Sequence, residues 1–406
     1  MSTKTIWIIN QYAGSPNHGM EFRHYYLAKE FVKAGNKVMI ISGSYSHLFK
    51  QQPQTKGDFT FEEINGVTYC WVKIPTYERS TSIARFKNML KFMFMLKKFP
   101  LEKFEKPDSI IVSSPSLFPI VRAKKWAVKF NAKLIFEVRD IWPLTLQNLA
   151  GISNVHPLIV FMKWFEKFAY KNSDKIVSVL PGAHLHVKTY GIPEEKITCI
   201  PNGIDLEEVD HPEQLDKSVN EKIPIGKFIV GYAGSIGVSN ALYSFIEAAV
   251  KVKKNQEIVF VIFGNGAEKE KLMKMASGCN AILFFEPVKK EQFQSLLNRF
   301  DVCYIGWKKE SLYRFGISAN KIFDYLFAAK PIIHSVDAYN DPIKEAGAGI
   351  SVEPENVQAI VDAILHLYKM GEKERNELGA NGKKFVLAHH TYAALAEKYL
   401  QLIRKS

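Results

Sequence analysis

The sequence predicts an α/β protein built from two parallel-sheet domains, because of its length, its alternating pattern and one break in that pattern. The chain has 406 residues, which suits two domains of about 150 to 200 residues each. Short apolar runs alternate with helical patterns, as is typical of parallel strands covered by helices on both faces. The predicted strands are residues 5–10, 37–42, 109–113, 133–138 and 175–178, then 228–233, 257–264, 281–285, 302–305 and 331–333.

A turn-rich, charged segment separates the two halves. Ile200-Pro-Asn-Gly-Ile-Asp205 has the composition of a turn, and the stretch that follows, up to residue 227, is charged and interrupted by proline. We therefore place an N-terminal domain at residues 1–200, a linker at 201–227, a C-terminal domain at 228–385 and a last helix at 386–406. Because open parallel sheets bind ligands beyond the carboxyl ends of their strands, we expect the active cleft between the halves.

The charge balance favours a polyanionic partner. The chain carries 54 Lys and Arg against 41 Asp and Glu, a net charge of +13, which suits nucleic acid, anionic lipid or a phosphate-rich substrate. Four scattered cysteines without a CxxC pair predict neither a zinc site nor a disulfide framework. Since neither a leader peptide nor a run of about 18 apolar residues is evident, we expect a cytoplasmic protein without a transmembrane helix.

Residues 84–104 combine basic and apolar side chains at helical spacing. The helical stripe and the lysines that interrupt the apolar positions comprise Phe86, Leu90, Met93, Phe94, Lys87, Lys91, Lys97 and Lys98. Two interpretations stay open for this segment. It is either a helix lying in an anionic membrane surface or a helix packed on its own domain with solvated lysines.

Two loops of the N-terminal half follow predicted strands. The loop of residues 11–19 contains His18 and Gly19 and leads into a helix, whose N-terminal amides could hold a phosphate or an incoming group. It lacks the G-x-G-x-x-G fingerprint, which argues against a dehydrogenase. The strand at 133–138 runs into Arg139 and Asp140, an adjacent base and acid that suit substrate hydroxyls and phosphates. A surface-loop His18 and a turn-fixing pair of Arg139 and Asp140 are the structural alternatives.

Glycine-containing turns follow two strands of the C-terminal half. Gly234, Ser235, Gly237 and Asn240 lie in the first turn, and their backbone amides could approach a diphosphate closely. The second turn, Phe263-Gly-Asn-Gly-Ala267, contains Gly264, Asn265 and Gly266 and has the same character. A simple tight turn is the alternative for both.

The segment of residues 313–331 carries the most specific pattern. Gly316, Ser318 and Asn320 form a polar entry to a helix, Lys321 lies in its first turn, and Asp324 follows one turn later on nearly the same face. A lysine there can neutralise a diphosphate, and the carboxylate can accept two hydrogen bonds from a ribose diol. An ordinary surface salt bridge between the two is the alternative.

Together these motifs resemble glycosyltransferase family 4, the retaining enzymes of the GT-B fold. The likeness rests on five motifs in order along nearly the whole chain: the Pro-Asn-Gly-Ile-Asp turn at 201–205, Gly-Ser-Ile-Gly at 234–237, Phe-Gly-Asn-Gly at 263–266, the helix at 321–331, and Arg-Asp-Ile-Trp-Pro at 139–143. The last is similar to the bacterial O-antigen and capsule transferases that include fucosamine transferase-like members. The resemblance implies two Rossmann-like domains facing an interdomain cleft, with a last helix that crosses back to the first domain.

The resemblance also implies a chemistry. A nucleotide diphosphate sugar would be held mainly by the C-terminal domain and an acceptor by the N-terminal domain. Transfer would retain the anomeric configuration by a front-face reaction, with no metal and no cofactor. The implied donor-binding set is Gly19, Gly234, Ser235, Gly237, Asn240, Gly264, Asn265, Gly266, Val288, Arg314, Ser318, Asn320, Lys321 and Asp324. The implied catalytic candidates are Asp140, His18 and Arg139.

The chain departs from the family pattern at three places. Ser235, Ser239 and Asn240 occupy a loop where relatives commonly carry Arg and Lys, so phosphate neutralisation falls on Lys321 and Arg314. Of the family's paired glutamates, Asp324 matches the second, while Gly316 and the run from Ser318 to Asn320 take the place of the first. Arg139 replaces a histidine that many relatives carry, which leaves Asp140 first and His18 second among the catalytic candidates.

The resemblance thus implies a hexosyl- or N-acetylhexosaminyl-type transferase for bacterial surface polysaccharide. The donor would be UDP-linked, and the acceptor a glycan or a polyprenyl diphosphate-linked glycan at the inner face of the cytoplasmic membrane. A sugar-nucleotide epimerase of the same architecture is one alternative. A nucleic-acid-binding protein is the other, but no RNA- or DNA-binding motif accompanies the positive charge, so we expect no nucleic-acid partner.

Overall fold

The structure is a computed structural model that describes residues 3–19, 22–77 and 83–404. The chain divides into two compact units, and each is an α/β layer structure. Unit 1 comprises Met1–Pro201 and Tyr392–Ser406, and unit 2 comprises Asn202–Thr391. The predicted fold class of two parallel-sheet α/β domains is confirmed.

The described residues of unit 1 form a sheet of eight strands in the order β3-β4-β2-β1-β5-β6-β7-β8. Every neighbouring pair is parallel except β3 and β4, which form an antiparallel hairpin at one edge. The strands are β1 Thr5–Ile9, β2 Lys37–Gly43, β3 Phe59–Ile64, β4 Val67–Val72, β5 Ser109–Ser113, β6 Lys133–Val138, β7 Lys175–Ser178 and β8 Ile197–Cys199.

Helices cover both faces of this sheet because its central strands are apolar on both sides. Ile6 and Ile8 of β1 lie in one apolar core, while Trp7 points the other way and packs edge-on against Phe99 and Trp126 at 5.6 and 5.8 Å between ring centroids. The helices of this part of the chain are α1 Arg23–Lys33, α2 Ile83–Met95, α3 Ile120–Phe130, α4 Leu144–Ala150, α5 Pro157–Asn172 and α6 Ala183–Val187.

The sheet of unit 2 has six strands in its described residues, all paired in parallel in the order β11-β10-β9-β12-β13-β14. Its central strands β9, β10 and β12 are buried throughout, as expected for a sheet covered by helices on both faces. The strands are β9 Phe228–Ala233, β10 Ile258–Phe263, β11 Ile282–Phe285, β12 Val302–Gly306, β13 Ile332–Ser335 and β14 Gly349–Val352.

The helices of unit 2 flank this sheet and supply most of its apolar cover. They are α7 Leu206–Val209, α8 Lys217–Asn220, α9 Leu242–Val252, α10 Lys269–Met275, α11 Phe293–Leu297, α12 Asn320–Phe327, α13 Pro342–Ala346, α14 Val357–Lys369 and α15 Glu372–His389. Short 3₁₀ turns occur at Leu96–Lys98, Leu101–Lys103, Lys188–Tyr190, Glu194–Lys196, Val238–Asn240, Lys290–Gln292 and Ser311–Phe315. No helix within the described ranges is both long enough and apolar enough to cross a membrane.

The segment that the sequence analysis places as a linker, residues 201–227, packs within unit 2 from Asn202 onward. The backbone N–H of Glu213 donates to the Glu291 carbonyl at 2.8 Å, and Gln292 Nε2 donates to the Gln214 carbonyl at 2.9 Å. Charge and proline are typical of a connector, but one backbone and one side-chain hydrogen bond to the region before α11 hold this stretch on unit 2.

The last helix, α16 Tyr392–Arg404, belongs to unit 1 and packs on α1. Tyr392 lies against Tyr26 at 4.8 Å between ring centroids, and Tyr399 lies against Phe31 at 6.0 Å. The expected range of 386–406 therefore begins too early, because residues up to His389 complete α15 of unit 2.

Candidate functional site

The two glycine turns of unit 2, residues 234–237 and 263–266, pack directly on each other. Ile236 donates its N–H to the Asn265 carbonyl at 2.9 Å, and Gly234 donates to the Phe263 carbonyl at 2.9 Å. A Cβ on Gly264 would lie 1.9 Å from the Gly234 carbonyl oxygen, so no side chain fits there. The glycines therefore permit two strand-end turns to approach closely, and the first turn is held in a fixed shape.

Lys321 connects this shape to α12. Its Nζ donates to Asn240 Oδ1 at 2.6 Å and to the Tyr232 hydroxyl at 2.9 Å, and it lies 4.9 Å from the centre of the Tyr232 ring. Asn240 Nδ2 in turn donates to the Ser235 carbonyl at 2.9 Å. Burial lowers the pKa of Lys321 to about 8, because neutral partners compensate an ammonium only in part.

The Lys321 ammonium thus sits beside the first glycine turn with two neutral partners. A Cβ placed on Gly234 would lie 3.5 Å from Lys321 Nζ, which shows how near the turn is to the charge. Among the described residues, Lys321 forms no ion pair with Asp324, so the surface salt-bridge alternative is wrong. An anion at this turn would supply the opposite charge that the lysine lacks.

Asp324 lies one turn along α12 and is half-buried. Burial raises the pKa of Asp324 to about 7, with Lys290 lowering it and Glu208 raising it further. Lys290 is itself ion-paired with Glu208, so the negative charge of Glu208 offsets much of its effect on Asp324. Asp324 is therefore a carboxyl group poised between its neutral and charged forms near neutral pH.

Two asparagines that sequence reasoning left without a role hold the loop before α12. Asn202 donates its backbone N–H to Ser318 Oγ at 2.8 Å and its Nδ2 to the Ser318 carbonyl at 2.6 Å. Asn340 Oδ1 accepts from the Ile317 N–H at 2.8 Å, and its Nδ2 donates to the Ile317 carbonyl at 3.1 Å. Ser318 therefore holds the loop in place through its Oγ and its carbonyl, and its donor contact stays a prediction.

The remaining donor candidates of unit 2 lie around this loop with different exposure. Arg314 is exposed, with its guanidinium 4.6 Å from the centre of the Phe315 ring. Asn320 is exposed as the first residue of α12, and Gly316 has a positive φ of 102°. Val288 follows β11 and packs against the apolar core. Arg314 and Asn320 are the two of this group whose polar side chains reach solvent.

In unit 1 the adjacent Arg139 and Asp140 differ in exposure. Both backbone N–H groups point to Ser114 Oγ, at 2.9 and 3.4 Å, so the strand end is tied to β5. The Asp140 side chain is exposed, whereas Arg139 is half-buried and its charge acts on Glu137 and His24. Asp140 therefore lies at the surface of the strand end, and Arg139 is part of a buried network.

That network centres on Glu137 of β6, which sequence reasoning missed. Glu137 accepts from Arg23 Nε at 2.9 Å and from Ser113 Oγ at 2.6 Å, lies 3.0 Å from His24 Nε2, and also accepts from the Tyr399 hydroxyl. Burial alone would raise the pKa of Glu137, but Arg23 and His24 outweigh burial and hold this pKa well below its usual range. Burial lowers the pKa of His24, which favours the neutral ring. A glutamate inside an otherwise apolar strand was the available signal.

His18 is buried at the opposite edge of the same sheet. Its Nδ1 lies 2.8 Å from Ser15 Oγ, its ring lies 4.7 Å from that of Trp71, and its Nε2 lies 3.6 Å from Glu62 Oε2. Burial lowers the pKa of His18, and Glu62 acts in the opposite direction. The ring borders a cavity of about 370 Å³ lined by His18, Gln51, Gln52, Gln54, Thr60, Phe61, Glu62 and Trp71.

The two first-ranked catalytic candidates, Asp140 and His18, therefore do not lie in one site. His18 contacts β3 and β4, Asp140 follows β6, and β2, β1 and β5 lie between them. With strands about 4.8 Å apart, the separation is roughly 19 Å. Gly19 has a local role, since a Cβ there would lie 2.8 Å from the Lys50 backbone nitrogen. Within unit 1, Asp140 alone of these three residues presents an exposed polar side chain at a strand end.

Comparison with known families now decides among the transferase, the epimerase and the nucleic-acid-binding protein. Residues 18–208 match the model named Glycosyltransferase Family 4, and residues 227–370 match the model named Glycosyl transferases group 1. The chain belongs to glycosyltransferase family 4. The two models match most of each unit, so the transferase expectation is confirmed and the two alternatives are set aside.

Individual relatives of this family 4 enzyme support the assignment. WcaI of Escherichia coli K12, named for colanic acid biosynthesis, is 24% identical over 345 residues, covering 81% of this chain and 84% of WcaI. Sucrose-phosphate synthase from Thermosynechococcus elongatus superposes with a TM-score of 0.74 at 15% identity, covering 99% and 98% of the two chains. Anabaena HepE in complex with UDP and glucose superposes with a TM-score of 0.66 at 12% identity, covering 100% of both chains. These structural likenesses establish the GT-B fold of the family 4 enzyme.

Proposed function

We propose that this enzyme transfers a sugar from a UDP-linked donor, with retention of anomeric configuration, to a lipid-linked or oligosaccharide acceptor in bacterial surface polysaccharide biosynthesis. The likeness to WcaI, which is named for colanic acid biosynthesis, supports the pathway class. The likeness to HepE, whose structure contains UDP and glucose, supports the donor class. Neither relative carries the assignment alone, so the main support comes from the site in unit 2.

The observation that carries the proposal is the Lys321 ammonium beside the first glycine turn. Its two hydrogen-bond partners, Asn240 and Tyr232, are neutral, and burial has already lowered its pKa to about 8. A donor diphosphate bound at the amides of Ser235 and Gly237 would provide the missing negative charge. The Lys321 ammonium is thus already desolvated in the folded protein, before any ligand binds, and this arrangement suits an anion.

Asp324 is the proposed ligand of the donor ribose. It lies one helical turn beyond Lys321, and its carboxylate can accept hydrogen bonds from both hydroxyls of a ribose. The exposed side chains of Arg314 and Asn320 are proposed to contact the donor from the loop before α12. Gly264, Asn265 and Gly266 support the first glycine turn. Val288, which follows β11 and packs on the apolar core, is proposed to line the donor site beside this turn.

The proposed reaction follows from these positions. The bond between the anomeric carbon and the leaving phosphate oxygen breaks, and the acceptor oxygen bonds to the same face of the sugar. The acceptor proton passes to the departing phosphate, so neither a metal nor a cofactor is proposed. Lys321 stabilises the negative charge that accumulates on the departing diphosphate. This stabilisation lowers the energy of the oxocarbenium-like transition state, in which that charge develops. Asp140, exposed at the end of β6, is the proposed contact to the acceptor in unit 1.

The proposed location is the cytoplasmic face of the membrane, with the enzyme bound peripherally. A lipid-linked acceptor keeps its glycan at the membrane surface, so an enzyme that adds to it gains from residing there. The net charge of +13 favours an anionic surface.

A nucleotide screen tests the donor assignment. Thermal midpoints of the full chain are measured with UDP, GDP and ADP and with their sugar conjugates, without added metal, because a ligand bound to the native state raises its apparent stability. We expect a selective rise with UDP ligands, and no rise with any nucleotide contradicts the proposal. Lys321→Gln should abolish the rise, whereas the matched control Lys373→Gln, at an exposed position of α15, should keep it.

The stereochemistry needs its own measurement. The product of a turnover with a UDP-α-linked donor is isolated, and the coupling constant of its anomeric proton is read by NMR. An α-linked product supports retention, and a β-linked product refutes it.

A further inference from the structure

The outer side of α5 in unit 1 exposes large apolar side chains at helical spacing. Val160 is 55% exposed, Phe161 is 43% exposed and Trp164 is 55% exposed, and Val155 just before the helix is 81% exposed. Trp164 also stacks on Phe168, one turn along, at 5.4 Å between ring centroids. Single exposed apolar residues are ordinary, but a contiguous group of this size marks an interaction surface.

The neighbouring helix α2 extends this surface. Phe86 of α2 lies 6.4 Å from Phe161 of α5 between ring centroids, and both rings contact Phe118. For residues 84–104 the sequence left open a helix in an anionic membrane surface and a helix packed on its own domain. The structure buries Phe92, Met95 and Phe99 of that stretch and leaves Phe94 50% exposed. Phe86 places α2 at the flank of the surface, and α5 contributes most of the exposed large apolar side chains.

The charges around this surface share one sign. Lys87 and Lys91 of α2 are exposed, as are Lys167 and Lys171 of α5. The two helix sequences contain one acidic residue, Glu166. It is buried, accepts a hydrogen bond from the Tyr170 hydroxyl at 3.1 Å, and lies 2.7 Å from His186 Nε2. The exposed face is therefore apolar and aromatic in its centre and basic at its rim.

We propose that α5 and the adjacent face of α2 form one docking surface for an anionic lipid bilayer, with Trp164 and Phe161 inserted at the interface. This inference deepens the peripheral location in the proposed function by naming the residues that would bind. An interfacial helix needs an aromatic or apolar face to enter the headgroup region and lysines to meet its negative charge, and this surface supplies both. A second copy of the chain would bring like charges together, and nucleic acid would gain nothing from the aliphatic Val155 and Val160.

Vesicle co-sedimentation of the full chain tests the surface. Vesicles of phosphatidylcholine with phosphatidylglycerol are compared with vesicles of phosphatidylcholine alone, in the absence of nucleotide. We expect binding to the anionic vesicles and at least a tenfold loss for the double variant Phe161→Gln, Trp164→Gln. The control is Ile225→Gln, Met273→Gln, which removes two exposed apolar side chains of unit 2.

Two matched sets of Lys→Gln changes distinguish the contribution of the lysines from that of the apolar centre. Lys87, Lys91, Lys167 and Lys171 changed together to Gln should lower binding to anionic vesicles at low salt. The same change at Lys254, Lys274, Lys373 and Lys384 of unit 2, which are exposed and alter the net charge equally, should lower it far less. Equal losses in the two sets would reduce the effect to net charge and overturn the proposed surface.

Trp164→Phe gives a direct reading of insertion. It should keep vesicle binding while removing most of the fluorescence quenching caused by brominated lipids, because the ring that enters the bilayer is no longer an indole. Quenching that persists in Trp164→Phe overturns the assignment. So do failure of the parent chain to bind anionic vesicles, concentration-dependent self-association through this face, and preferential binding to nucleic acid. The nucleotide screen is independent of lipid, so either proposal can fail while the other stands.

Discussion

Lys321 Nζ and Asn240 Oδ1 lie 2.6 Å apart and join the start of α12 to the end of the first glycine turn. Asn240 supplies a neutral oxygen to the ammonium and thereby holds it beside the turn. In the proposed donor site, the Lys321 ammonium beside this turn meets the diphosphate, and the response of nucleotide binding to pH should reveal its contribution.

Nucleotide affinity should fall above pH 8. The pKa of Lys321 is lowered to about 8, so the free enzyme carries the charged lysine below that pH and loses it above. Since a diphosphate binds the charged form, we expect the UDP affinity to drop by roughly tenfold per pH unit above 8, measured by calorimetry. Lys321→Gln should bind more weakly by about 1.5 to 3 kcal/mol and lose this pH dependence, and a parent affinity that is flat to pH 10 would count against the assignment.

Asp324→Asn should separate stability from binding. The folded-state pKa of Asp324 is raised from 3.8 to about 7, so the stability it contributes is present below pH 4 and is lost as pH rises through 7. The variant lacks this loss, and we expect it to unfold at a higher temperature than the parent at pH 8 and at a similar temperature near pH 4. Its UDP affinity should fall by about 1 to 3 kcal/mol, and unchanged affinity would exclude the ribose contact.

Ser318→Ala should affect folding and leave the nucleotide unaffected. Ser318 Oγ accepts the Asn202 backbone N–H at 2.8 Å, and loss of one hydrogen bond at a buried site costs about 1 kcal/mol. Chemical denaturation should show that loss, while UDP affinity stays within twofold of the parent. A large fall in affinity with unchanged stability would restore the donor contact that the sequence indicated.

Glu137→Gln should be among the most damaging single changes in unit 1. It removes the charge that compensates buried Arg23, and breaking a buried ion pair costs about 3 to 5 kcal/mol. Tyr399→Phe deletes one hydrogen bond to the same carboxylate and should cost less than half of that. Urea denaturation of both variants gives the comparison, and equal costs would mean that the Arg23 pair contributes little.

Much of the fold could be predicted because apolar strands of ordinary length leave a clear pattern. The β3–β4 hairpin was missed although Asn65 and Gly66 form its two-residue turn, with φ angles of 50° and 78°. Asn-Gly between two segments of alternating apolar residues is a strong hairpin signal, so the sequence contains enough information to predict this hairpin. The three-residue β8 and the four-residue β14 are too short to stand out from their surroundings.

In the candidate site, features that are local in the chain could be predicted, and contacts between distant residues could not. Lys321 and its neighbouring glycine turn could be predicted, because a turn and a helix start are local in the chain. The Glu137 network could not, since its partners Arg23 and Tyr399 come from sequence positions 114 and 262 residues away. Asn202 belonged to a recognised motif, but its contact with Ser318 spans 116 residues. Only the tertiary structure shows that this motif fixes a loop.

The position of α16 has a consequence for how the protein is made. Leu395, Tyr399 and Leu400 are core residues of unit 1, yet they are translated after the whole of unit 2. During synthesis, unit 1 must wait with part of its core uncovered and Glu137 short of one donor, while the complete sequence of unit 2 leaves the ribosome and can fold. Unit 1 therefore begins before unit 2 but is completed after it, because the nascent chain depends on α16 to close the N-terminal domain.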